Sequence, residues 1–170
     1  VFELPLAQGG IRKIVQSLEP LFVQPDLRAV LQQCVVMVVE VMEAKIVSFM
    51  FLDESGMELR IQASHGLDAD LATRTRVRIG DSIAGWVAQT SEPLLVRDVE
   101  EDRRFRKMSH PQYETRSLLC VPLHLSDVTI GVVNANNKVG GMPFDEDDLR
   151  LLTAVVSRVA AALAGCLPLR

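Results

Sequence analysis

Three cysteines, three histidines and one asparagine inside an apolar strand are the residues of this chain best placed to do chemistry. Cys34, Cys120 and Cys166 lie far apart. Cys34 and Cys120 sit in apolar patterns, where a reduced cysteine behaves as a small hydrophobe. No CxxC pair, HExxH motif or His/Cys cluster marks a metal site. Reduced thiols fit a reducing compartment, so the expected location is the cytoplasm. Redox catalysis through Cys120 or His65 would rest on single residues. Haem through His110 or His124 would rest on a lone ligand, which has a low prior. His65 ends a strand in a Ser-His-Gly-Leu turn, where an exposed ring is the plainer reading. Asn134 is different, because a polar side chain in an apolar strand needs a partner: a ligand, a water or a loop backbone. The basic run at 103–107 (RRFRK) directly follows Glu100, Glu101 and Asp102 and reads as mixed, solvated surface. With a net charge of −4, the chain lacks the clustered positive charge of a nucleic-acid footprint.

These residues must be positioned by a fold, and the composition allows one. At 170 residues, 48% apolar and 24% charged, the chain suits one ordered domain with a sizeable core. Ile11, Ile14, Val15 and Leu18 mark a short N-terminal helix. Asp26 is expected to cap a longer helix over 26–44, whose stripe is Leu27, Leu31, Cys34, Val38 and Val41, widened by Val30, Val35 and Met42. Segments 45–53 and 57–64 alternate as a hairpin about the Glu54-Ser55-Gly56 turn. Short helices are expected over 68–74 and from Asp81 or Ser82 to Gln89, with short strands at 76–79 and 94–96. The polar stretch 98–115 is the longest loop. Strands at 117–125 and 128–136 follow, joined at Ser126-Asp127. A last helix starts at an Asp145 cap with Asp148 at its N3 position. Hairpins need no parallel crossover, so the expected sheet is antiparallel with helices covering it, an α+β fold. Pro122 should lie at an edge or a bulge. Charges break the apolar runs before the ~20 residues of a membrane span, and no signal peptide is visible. The expected division is an N-terminal helical segment or linker at 1–25, a domain at 26–165 and a tail at 166–170. A chain starting at Val reads as a piece of a longer protein.

Four segments then carry a family resemblance in the right order and spacing: IGDSIAGWVA at 79–88, EPLLVRDV at 92–99, RSLLCVPL at 116–123, and IGVVNANNK at 130–138 followed by FDEDDL at 144–149. The chain resembles a GAF domain, the ligand-binding module of cyclic-nucleotide phosphodiesterases, phytochromes and bacterial signalling proteins. The likeness covers about 26–163. It implies terminal helices on one face of the sheet, with small helices and loops forming a pocket on the other. Gly80 and Gly85 would bracket a tight strand-to-helix turn, and Gly131 would let a neighbouring strand approach.

Carried over position by position, the resemblance lines the pocket with Ser48, Ser64, His65, Ile83, Ala84, Arg106, Thr115 and Asn134, a mostly apolar wall suited to a small organic ligand. Asn137, Lys138, Phe144 and Asp148 match the phosphodiesterase Asn-Lys…Phe-x-x-x-Asp signature, with Leu149 where a Glu should follow. A Lys138–Asp148 pair would tie the last strand to the final helix. A Phe-Asp pair that helps read the base in that subfamily is Ser64-His65 here, and its pocket Glu is Asn134, so the pattern does not support cyclic nucleotide. Ser82-Ile83-Ala84 stands where the family's methionine-sulfoxide reductases place a catalytic cysteine. Cys120 lacks the neighbouring histidine of the bilin-binding members. No catalytic residue or cofactor is therefore assigned.

The final helix repeats Leu149, Leu152, Val156, Val159 and Leu163 as a heptad seam, widened by Leu151 and Val155. One face would cover the sheet and another would meet a partner's helices, giving a homodimer. The resemblance thus implies a sensory module of a bacterial signal-transduction protein that couples an unidentified small-molecule ligand to a neighbouring effector domain. The competing reading is a dimerisation module with no ligand, in which Ser48, Thr115 and Asn134 satisfy one another.

Overall fold

The computed structural model describes residue 16 and residues 24–104 and 117–166. Helix α1 (Pro25–Met42) is followed by β1 (Ala44–Leu52) and β2 (Glu58–His65), then α2 (Ala69–Arg74), β3 (Arg76–Arg78) and α3 (Ser82–Thr90). Strands β4 (Leu94–Val96), β5 (Leu118–Leu125) and β6 (Val128–Lys138) precede the last helix, α4 (Glu146–Cys166). The strands form one six-stranded sheet in the order β3-β2-β1-β6-β5-β4. All pairings are antiparallel, as the hairpin spacing predicts. The α+β architecture expected from the sequence is the one observed.

Alternate residues of the central strands feed two separate cores. Val47, Phe49, Phe51, Val121, Leu123, Val133 and Ala135 pack with α1 and α4. Met50, Leu52, Cys120 and Val132, from the same strands, pack on the other side with Ile83, Ala84 and Val87 of α3. The apolar alternation of each strand is thus spent on both faces. β6 and β1 can lie close because residue 131 has no side chain. A Cβ on Gly131 would come within 2.1 Å of the Met50 carbonyl oxygen.

The helices depart from expectation in detail. α1 begins at Pro25, suited to a first helical position, and its N-cap is Gln24 rather than Asp26, which lies in the first turn. Its buried stripe is Leu27, Leu31, Val35, Val38 and Met42, so of the expected residues Val35 and Met42 are buried more deeply than Cys34 and Val41. Cys34 is half-buried and Val41 exposed. The heptad seam of α4 is internal: Leu152, Val156, Val159 and Leu163 are buried in the core against α1 and the sheet. By length and composition α4 is also apolar enough to cross a membrane, although Arg150 and Arg158 interrupt its apolar run as expected. Asp145 and Asp148 form the expected reciprocal cap. The Asp148 N–H donates to Asp145 Oδ1 at 2.9 Å, and the Asp145 N–H donates to Asp148 Oδ2 at 3.0 Å.

The sheet's edges are short or interrupted. β3 and β4 are three residues each. β4 ends opposite Cys120, so beyond it β5 is the edge, and Pro122 lies there with a register shift after Leu123. The N-terminal helical segment expected around 11–18 falls almost wholly outside the described residues.

Candidate functional site

Among the described residues, α3 packs on part of the face opposite the terminal helices. A Cβ on Gly85 would stand 2.2 Å from the Arg78 carbonyl oxygen, so glycine here lets the helix press against the end of β3. The segment leading into α3 is fastened at the hairpin end of the sheet, where the Ile79 N–H donates to the Met57 carbonyl. Beyond the other end of α3, Ser91 and Thr129 share a hydrogen bond of 2.6 Å. The helix therefore crosses the strands over Met50, Leu52 and Val132, whose cluster includes Ile83 and Ala84. These two expected lining residues are 9% and 8% exposed and serve as apolar core.

One step further along the strands, cross-strand pairing aligns a polar row. Ser64 pairs with Ser48, Ser48 with Asn134, Asn134 with Cys120, and Cys120 with Leu94. Ser48 lies between Val47 and Phe49, which face the terminal helices, so its side chain points the other way. Asn134 is placed likewise between Val133 and Ala135. The Asn134 amide Nδ2 donates to Ser48 Oγ at 3.2 Å. The next row, Ile46, Asn136, Leu118 and Val96, lies beside it on the same face.

The structure brings Ser48, Ser64 and Asn134 together and sends His65 elsewhere. A register shift between Phe49 and Met50 inserts Gln62 as an extra residue in β2. The simple alternation of Leu59, Ile61 and Ala63 is broken there. Leu59 and Ile61 belong to the α3 side, but Ala63 belongs to the terminal-helix side. Ser64 therefore faces the polar row, while His65 pairs with Val47 and lies exposed on the terminal-helix side. Successive strand residues take opposite faces, so the two cannot line one pocket together. Arg106 and Thr115, the remaining expected lining residues, lie outside the described residues, as does His110.

Asn136 is the polar residue that the sequence expectations leave out. Its signal is the Asn-Ala-Asn alternation at 134–136, which places two amides on one face. Cys120, although in the row, is not poised to react. Complete burial pushes its thiol well above the ordinary cysteine range, and a neutral thiol is a poor nucleophile. In the segment after β4, Arg104 clamps Asp102 with bonds of 2.9 and 2.6 Å and holds that carboxyl below its ordinary value.

β6 leaves this floor and ends in a clasp. Asn137 takes a left-handed φ of 57°. Lys138 then donates to both oxygens of Asp148 at 2.9 and 2.7 Å and lies 5.9 Å from the centre of the Phe144 ring. This is the strand–helix tie expected for Lys138 and Asp148. Buried Ser117 adds a strut, donating to the Val96 carbonyl at 3.0 Å and accepting the Phe144 N–H at 3.1 Å.

Comparison with known proteins agrees with this geometry. The family model described as GAF domain matches residues 26–163. Among curated proteins, dual 3',5'-cyclic-AMP and -GMP phosphodiesterase 11A of Takifugu rubripes is 40% identical over 81 residues, covering 46% of this chain and 9% of that protein. The cone cGMP-specific 3',5'-cyclic phosphodiesterase subunit alpha' of Mus musculus is 36% identical over 83 residues, covering 48% and 10%. The match thus spans about a tenth of the length of these relatives. Among solved structures, the GAF domain from an Acinetobacter phosphoenolpyruvate-protein phosphotransferase superposes with a TM-score of 0.70 at 22% identity, covering 93% of this chain and 92% of that one.

Proposed function

The chain belongs to the GAF domain family, and from that premise we propose that it is a regulatory sensor whose sheet face opposite the terminal helices binds a small molecule. The observation that carries this reading is the Ser64-Ser48-Asn134 row beside an apolar cluster: a few convergent polar groups set against an apolar wall. A ligand acts only through its differential affinity for two states, so occupancy must reach an element that can shift. The Lys138–Asp148 clasp is that connection, since it joins the strand bearing Asn134 to α4. The output passes to a neighbouring effector domain in the parent protein. The test is a thermal-shift screen against nucleotides, amino acids and flavins. A compound that raises the melting temperature should lose that effect in Asn134→Leu; an undiminished shift in the variant sinks the proposal.

The chain also forms a homodimer through its terminal helices in this reading. Support comes from Val36, Met37 and Val41 on α1 and Leu151 on α4, which remain exposed although the internal seams of both helices are filled. Light scattering after size exclusion should give twice the chain mass at roughly tens of micromolar, the range of a modest association. A strict monomer there removes the dimer. The alternative of a dimerisation module without a physiological ligand draws on one observation, the Asn134–Ser48 hydrogen bond, by which the row partly satisfies itself.

A further inference from the structure

We infer that Asn136 is a second ligand-reading amide, and that with Asn134 it selects an uncharged, flat, fused-ring compound carrying hydrogen-bonding groups at both ends. The inference rests on the pocket reading above. Asn136 is 6% exposed. It stands in a row with Ile46, Leu118 and Val96, which are 5%, 7% and 1% exposed, and its amide makes no hydrogen bond to any described residue. The fully buried side-chain atoms without a partner among the described residues are Arg60 Nε and Asn137 Oδ1, so the Asn136 amide keeps its remaining exposure for a group outside the chain. An apolar side chain would suit this position better if packing alone were at stake. The neighbouring amide is also incompletely used: Asn134 gives its N–H to Ser48, and its carbonyl oxygen has no partner among the described residues.

Spacing and charge narrow the ligand. Residues two apart on a strand are separated by roughly 6.7 Å, so one small group cannot bridge both amides but a fused bicyclic ring can. Every described side chain in the two rows is uncharged by type: Ser64, Ser48, Asn134, Cys120 and Leu94, then Ile46, Asn136, Leu118 and Val96. Amide and hydroxyl groups can match the donors and acceptors of a lactam edge, whereas a charged group would be desolvated there without compensation. The flat apolar surroundings suit the faces of an aromatic ring.

The experiment compares the 170-residue chain with its Asn136→Leu and Asn134→Leu variants. Thermal shift and calorimetric titration use xanthine, pteridine-2,4-dione and riboflavin as fused-ring probes and uracil as the single-ring control. At least one fused-ring probe should bind and raise the melting temperature while uracil does not, and Asn136→Leu should abolish that shift. Without ligand, Asn136→Leu should melt no lower than the parent chain, since no described residue hydrogen-bonds to the amide. A lower melting temperature for unliganded Asn136→Leu would make the amide structural and overturn the inference. So would unchanged fused-ring binding in that variant, or no shift with any of the three probes. Binding that is lost in Asn134→Leu but kept in Asn136→Leu would leave the sensor reading standing and remove only this one.

Discussion

The two faces of the sheet are written by alternate residues of the same strands, yet they are finished differently. Toward α1 and α4, Val47, Phe49, Phe51 and Val133 meet helices along their length. Toward α3, the same strands offer Met50 and Val132, then Ser48 and Asn134, then Asn136. One face is closed by hydrophobic burial; the other adds amides and hydroxyls beside its apolar cluster. In the proposed reading, stability and recognition are separated by a single residue step along each strand.

Three measurements would break or sharpen that contrast. Phe49→Ala should have the largest effect, costing about 3–5 kcal/mol of unfolding free energy by urea denaturation, as for other fully buried phenylalanines. Its neighbour Ser48→Ala should cost only about 0.5–1.5 kcal/mol, the net worth of one hydrogen bond. Equal costs at the two positions would show that the faces share the stabilising role. Next, Asp148→Ala should cost about 1–3 kcal/mol, because it removes both acceptors of Lys138 and half of the reciprocal cap. If the clasp couples the faces, this variant should keep ligand affinity while losing the response of the helices.

The smallest effect is in pH. Hydrogen bonds to Asp148 hold the Lys138 ammonium above its ordinary 10.5, so its contribution is complete below that value and fades as pH rises through the folded one. The backbone N–H of Asp148 holds Asp145 below its ordinary 3.8, so that contribution is complete above 3.8 and fades as pH falls through the folded value. Melting temperature against pH should therefore show a flat middle from the clasp, with an alkaline limb that Lys138→Met removes.

Much of this was legible beforehand, for reasons that differ by element. The hairpins and the Asp145–Asp148 cap follow from local spacing, which a sequence displays directly, whereas the Lys138–Asp148 tie was implied by the family resemblance. The apolar surface of α1 was read too wide: the helix buries Val35 and Met42 but leaves Val41 outside, a choice made by the sheet and α4 rather than by the helix. His65 was misplaced by one inserted residue. Gln62 changes the parity of β2, and no rule of alternation can anticipate a shift set by the neighbouring strand. Asn136 was overlooked for the converse reason: the alternation was visible, but its weight depends on burial, which only packing defines.

The blunt edges of the sheet have a consequence for life inside a longer polypeptide. Two three-residue edge strands, one of them flanked by Arg76 and Arg78, and a proline where β5 is uncovered leave little backbone for another strand to template on. Copies held at high local concentration by tandem arrangement or by a paired effector would have no easy way to zip sheet to sheet. Such crowding would then drive neither fibres nor swapped strands, and self-association would be confined to side-chain contacts that can be made and released.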